Sequence, residues 1–374
     1  MWWDECHSLK TVDSSSYRQI VQGQLEREAN NSPLFYGTQK FLCRLIACDS
    51  RFFEIIRDPK KESPWNISWN SPFLNTYLRL ISFFLMALAP AALFYYFSLF
   101  YSPWWGAYAS LLCLSSWFFW HHGLEARPYI HFFTLTTLQM LIIVELATAK
   151  AKSEKVWLFF GLVNLLLALT FTTSAFQIAA ASLYFLCFCR NNLNIWKLTG
   201  VFIFPLLVTF YYYAMALKER YWFSKSLSNY FLESVPFEIL VVMGLFLLYA
   251  IFSWIQLKHR MFSTALIRWL DTKELKTWGG VFSLIVLIFL TYSFVMIFLK
   301  VQGLPVQQGG KNFYYRYLIG LVPVGIVGMA LFSRKLILSM QQLWMRYCFT
   351  FLLVSIVICR LVYVYNKEHS WVGL

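Results

Sequence analysis

Long apolar runs recur along most of this chain. They fall roughly at 77–100, 105–122, 128–149, 156–173, 175–190, 197–217, 236–257, 279–300, 316–333 and 346–365. A helix needs about 20 residues to cross a hydrocarbon core about 30 Å thick, so each run is long enough to cross or nearly cross. Backbone polar groups find no partner in lipid, and a run of this length satisfies them internally only as a helix. The expected fold is therefore all-α: a polytopic transmembrane bundle of about ten spans. Only Thr172-Thr173-Ser174 separates the fourth run from the fifth, so these two form either a re-entrant hairpin or two tight spans.

Composition agrees. Residues of the hydrophobic class make up 59% of the 374 positions and charged residues 13%. Soluble domains carry about 25% charged residues, so an ordinary soluble domain is excluded. The formal net charge of +14 is spread between apolar runs instead of being clustered. Such bases set topology and meet anionic lipid, and no nucleic-acid partner is expected. Cys113, Cys187, Cys189, Cys348 and Cys359 lie in or beside apolar runs and are expected to act as small core residues. No pair of cysteines has zinc-site spacing, and no signal peptide is visible at Met1-Trp2-Trp3.

The segment 1–76 is polar and amphipathic, and residues 77–374 form the multi-span domain. Asp13-Ser14-Ser15-Ser16 predicts a helix start, followed by Tyr17 to Ala29. A second helix is predicted from Pro33 through Leu45, with apolar residues three and four apart and Lys40 and Arg44 on another side. Helices of this kind lie in the membrane interface.

Loop charges orient the chain, because cytoplasmic loops are the richer in Lys and Arg. One alternate set holds Lys150, Lys152, Lys155, Arg190, Lys197, Lys258, Arg260, Arg268, Lys273, Lys276, Arg334, Lys335 and Arg346. The poorer set holds Arg127, Lys218, Arg220, Lys225, Lys300, Lys311, Arg316 and Lys367. The expectation is a cytoplasmic (inner) membrane protein with residues 1–76, the Arg127 turn and the 300–316 loop outside. A charged segment outside needs something to carry it there: a transmembrane helix is expected upstream of Met1, the alternative being translocation of a free N-terminus.

His121-His122-Gly123-Leu124-Glu125-Ala126-Arg127-Pro128-Tyr129 is a polar break between two apolar runs. Charge at a bilayer costs free energy and tends to mark a site. Pro128 turns Arg127 away from helix, so a helix restarts there. Arg127 is either a phosphate clamp, for which its planar fork suits it, or half of a local pair with Glu125. His121 and His122 are either ligands or acid–base groups or, as is commoner, interfacial polar caps, and no metal ligand is assigned. Asp4 and Glu5 stand beside two tryptophans, as a solvated acid pair or as a partly desolvated general base. Arg316 and Lys311 offer cations to an anionic head group, or Arg316 anchors an aromatic belt.

Five patches in order carry a resemblance: Trp3-Asp4-Glu5, Ser32-Pro33-Leu34-Phe35-Tyr36, Leu78-Arg79-Leu80-Ile81-Ser82, Leu124-Glu125-Ala126-Arg127-Pro128-Tyr129, and Tyr315-Arg316-Tyr317-Leu318 with Pro323. Together they resemble polytopic GT-C glycosyltransferases of the bacterial branch related to protein O-mannosyltransferases and the aminoarabinose transferase of lipid A. The resemblance implies inverting transfer of a sugar from a polyprenyl-phosphate donor to a lipid, glycan or protein acceptor. It implies Asp4, with Glu5, as the base on the acceptor hydroxyl. Arg127 and Arg316 would hold the phosphate, with Glu125, Tyr129 and Lys311 around the donor. It settles no cofactor, and a divalent cation stays open. The chain departs from the pattern in lacking a helix before Asp4-Glu5 and in a longer segment from Cys48 to Asn75. The runner-up expectation is a lipid-linked saccharide transporter or flippase, or an O-antigen ligase-like protein.

Overall fold

The computed structural model describes residues 16–21, 32–46, 72–123, 125, 127–148, 153–171, 173–188, 193–218, 318–340 and 342–372. Among them every regular element is helical, and none is a strand. Among the described residues two helices precede the bundle: α1 (Tyr17–Val21) and α2 (Pro33–Ile46). Ser16 begins α1 with a capping box. The Gln19 amide donates to Ser16 Oγ at 3.2 Å, and the Ser16 amide donates to Gln19 Oε1 at 2.6 Å. Pro33, Phe35, Tyr36, Gln39 and Lys40 of α2 are buried. Lys40 thus lies on the packed face, against the sequence expectation, whereas Arg44 is exposed and sits 4.8 Å over the ring of Tyr17.

The bundle begins with α3 (Pro72–Phe100), which starts inside the segment assigned to 1–76. Next come α4 (Pro103–Leu114), α5 (Trp117–Gly123), α6 (Tyr129–Thr148), α7 (Glu154–Thr170) and α8 (Ser174–Phe188). After α9 (Ile195–Lys197) a π-helical turn over Leu198–Ile203 leads into α10 (Phe204–Lys218). A 3-10 turn at Leu318–Gly320 opens α11 (Leu321–Ser339), and α12 (Leu343–Val372) follows. The run expected at 105–122 is two helices, not one. Ser115 Oγ donates to Leu112 O at 3.0 Å and Trp120 Nε1 to Leu114 O at 2.6 Å, so side chains occupy the carbonyls that a continuous helix would use. The runs at 236–257 and 279–300 lie outside the described residues.

Five described helical stretches are long and apolar enough to cross a membrane: Arg79–Phe100, Tyr129–Ala147, Ile195–Tyr212, Leu321–Leu338 and Leu343–Asn366. Two of them are central, with 78% of Tyr129–Ala147 and 72% of Leu321–Leu338 buried by protein. The other three are peripheral and present large apolar side chains outward, among them Phe84, Leu207 and Phe351. An apolar girdle this broad suits hydrocarbon and would be unfavourable in water. Cys113 is buried as expected, but Cys348 and Cys359 are exposed on peripheral α12.

Polar side chains join the central helices. Gln139 of α6 donates to Asn164 Oδ1 of α7 at 2.9 Å. Thr136 donates to Gln177 Oε1 of α8 at 2.9 Å, and Gln177 Nε2 donates to the carbonyl of Gly320 at 2.8 Å. Bonds of this kind are worth about 0.6 kcal/mol each inside a membrane protein, so their value lies more in fixing register than in bulk stability. α7 and α8 run antiparallel, for Trp157 near the start of one meets Phe185 near the end of the other at 5.2 Å.

Contacts sort the described residues between two ends of the bundle. One end holds Ser82, the turn at Glu125, Tyr129, Phe171, Gln177 and Gly320. The start of α2 joins it, where the Phe35 ring meets His131 edge-on at 5.4 Å. The other end holds Tyr101 under Arg334, at 4.2 Å, and Glu154 paired with Lys197 at 2.8 Å.

Candidate functional site

The site is the turn between α5 and α6. α5 packs onto α3 through Gly123, where an added Cβ would lie 2.7 Å from Met86 Sδ. Glycine lets the helix end this close to α3 without displacing the Met86 side chain. The hydroxyl of Ser82 on α3 donates to the backbone carbonyl of Glu125 at 3.2 Å and fixes the next step of the chain. The Arg127 amide then donates to the same carbonyl at 2.8 Å, which closes a tight turn. Pro128 needs no amide partner of its own, and its carbonyl accepts from Phe132 at 3.0 Å as α6 starts.

This fold gathers five side chains. His122 Nδ1 lies 3.3 Å from Glu125 Oε1, and the two side chains are 2% and 5% exposed. His121 is half-buried and stacks on Trp117, with ring centroids 4.5 Å apart and an interplanar angle of 21°. The His122 ring meets Tyr129 at 5.4 Å and Phe118 at 5.9 Å. Tyr129 is buried and also contacts Phe171 at 5.8 Å. Arg127 is half-buried. One suitable ligand atom from each of His121, His122 and Glu125 lies within 4.8 Å of the others.

Burial sets the chemistry. A carboxylate and an imidazole removed from water interact more strongly than they would in bulk, because the local dielectric is lower. Such a pair can pass a proton, orient a hydroxyl or hold a cation. The guanidinium that follows two residues later adds a donor fork for an anionic oxygen.

Of the residues expected at the site, Glu125, Arg127 and Tyr129 are together at this turn. Asp4, Glu5, Lys311 and Arg316 lie outside the described residues, as does any approach of Asp4 to Arg127. His122 belongs to the site although it was not among the residues expected there. The signal was the spacing His-His-x-x-Glu, which sets the two histidines four and three residues before the carboxylate, close enough to converge on it. No protein-family model matches this chain, and no curated protein or solved structure does either.

Proposed function

We propose that the chain is a membrane glycosyltransferase that moves a sugar from a polyprenyl-phosphate donor to an acceptor hydroxyl at the outer face of the cytoplasmic membrane. The meeting of Glu125, Arg127 and Tyr129 at one end of an apolar bundle supports this reading most directly. A lipid phosphate reaches such a site from the bilayer while its head group stays at the interface. Arg127 then stabilises the charge that develops on the leaving phosphate. The amphipathic α2 starts at the same end, and it follows in sequence the Asp4-Glu5 pair that we propose as the base. Replacing Asp4 with Asn should abolish transfer from a labelled polyprenyl-phosphate sugar in membrane fractions while leaving the protein membrane-bound. Undiminished transfer would remove Asp4 from the mechanism.

A second reading, a transporter of lipid-linked saccharide, has one observation in its favour. Asn164, buried like Gln139 and Gln177, bonds to a π-helical turn, and discontinuous helices are common in transporters. These side chains are engaged in helix-to-helix hydrogen bonds, which fits packing at least as well. Uptake of labelled lipid-linked sugar by sealed vesicles without sugar transfer would favour transport.

A further inference from the structure

We propose that His121, His122 and Glu125 form a binding site for one divalent transition-metal ion of the zinc class. Two imidazoles and a carboxylate offer their ligand atoms within 4.8 Å of one another. Zinc bonds to nitrogen and oxygen are about 2.0–2.1 Å long, so two ligands on a tetrahedral ion stand about 3.3–3.4 Å apart. His122 Nδ1 and Glu125 Oε1 are separated by 3.3 Å, the edge of that tetrahedron.

The alternative is a histidine held for packing alone. A packed histidine normally has both ring nitrogens engaged, because an unmet polar atom in the interior is unfavourable. His122 is 2% exposed; its Nδ1 faces Glu125, and its Nε2 has no hydrogen-bond partner among the described residues, so only one side of the ring is held by a polar contact. Its ring is held in place by aromatic neighbours, Phe118 and Tyr129, not by a closed polar network. His121 is similarly fixed by its stack on Trp117. The ligands are therefore oriented in advance.

Donor chemistry selects the ion. Imidazole nitrogen suits zinc, iron, nickel and copper, whereas calcium and magnesium take mainly oxygen. Three protein ligands leave a fourth position open, as in catalytic zinc sites, for water or an anionic oxygen. The net charge of the ion with one carboxylate is positive, and Arg127 two residues on adds to it. This inference holds whether or not the chain transfers sugar.

The test uses the full chain, purified in detergent, stripped with chelator and titrated with zinc and with cobalt. The wild type should take up one equivalent of zinc, show the visible bands of tetrahedral cobalt, and unfold at higher temperature with zinc than without. His121→Ala removes a half-exposed ligand and should weaken zinc binding at least ~10-fold, as losses even outside the ligand set reach 10–100-fold. Glu125→Gln combined with His121→Ala should abolish the cobalt bands. Thermal unfolding of the metal-free proteins identifies which variants fold, and His121→Ala decides the matter alone if the double variant does not. No zinc uptake by the wild type, or unchanged affinity in folded His121→Ala, would overturn the proposal.

Discussion

The side-chain amide of Asn164 donates to the backbone carbonyl of Val201 at 2.9 Å, and Pro205 explains why that carbonyl is available. In an α-helix the donor to Val201 O would be the amide of residue 205, and proline has none. The backbone widens here into a π-turn, in which the Phe204 amide reaches back five residues to Thr199 O. Asn164 supplies the donor that the helix lost. Its own Oδ1 accepts from Gln139, so one buried asparagine connects α6, α7 and the turn before α10.

Replacing Asn164 with Leu should therefore destabilise the folded protein by about 1–3 kcal/mol, since it strands both the Val201 carbonyl and the Gln139 amide. Replacing Gln139 and Asn164 together with Leu should cost less than the sum of the single changes, because the two share a bond. Unfolding of the detergent-solubilised protein by heat or SDS measures both.

Gly106 on α4 faces α3 so closely that a Cβ would lie 2.6 Å from the carbonyl oxygen of Phe94 and closer still to Ser98 Oγ. Small residues let membrane helices approach in this way. Gly106→Ala should destabilise by about 1–3 kcal/mol, through overpacking. Gly123→Ala should cost less, because the atom in its way belongs to the flexible side chain of Met86. Reversal of that order in thermal unfolding would mean that α3 and α4 can part more readily than the packing implies.

Arg127 and lysine are not equivalent at a phosphate site. On the proposed function, Arg127→Lys should lower sugar transfer by ~10-fold or more and Arg127→Ala further, since lysine keeps the charge but loses the fork. Both variants should stay membrane-bound. Equal activity of Lys and wild type would show that Arg127 does not bind the phosphate bidentately.

Lys197 bridges two partners: Glu154 at 2.8 Å and the face of Trp157 at 5.2 Å. Glu154 is 77% exposed, so Glu154→Gln should change stability by less than about 1 kcal/mol. Lys197→Ala also removes the contact with the ring and should cost more. The difference should persist at high salt, which screens the exposed pair but not the contact with Trp157.

Much of this architecture could be read before the structure. The run at 128–149 is the helix Tyr129–Thr148, the helix expected from Pro33 begins there, and the serine cluster ends in the capping Ser16. Each rests on a local rule: apolar length, proline at a first turn, a hydroxyl before a helix. What stayed hidden depends on partners far along the chain. The break at Ser115-Ser116 interrupts no apolar pattern, because both serines are buried like their neighbours. The π-turn follows from Pro205, but its asparagine partner comes from another helix. At the site, Glu125, Arg127 and Tyr129 were legible because they are nearly adjacent. His122 stands three residues before Glu125, a spacing that is also local, whereas the link to Ser82 spans 43 positions.

The central position of α6 bears on how the protein is made. Its Thr134, Thr136, Thr137 and Gln139 are all buried by protein. On leaving the translocation machinery, Thr137 can bond its own Phe133 carbonyl and Thr134 the Leu85 carbonyl of the earlier α3, but Thr136 and Gln139 would meet acyl chains without their partners. Asn164 and Gln177 arrive shortly afterwards, but the Gly320 carbonyl that completes the Gln177 bond lies 143 residues further on. The middle of the bundle must wait, partly assembled, for almost the whole polypeptide to be synthesised, and a ribosome stalled before that point should leave an intermediate that membrane quality control can recognise.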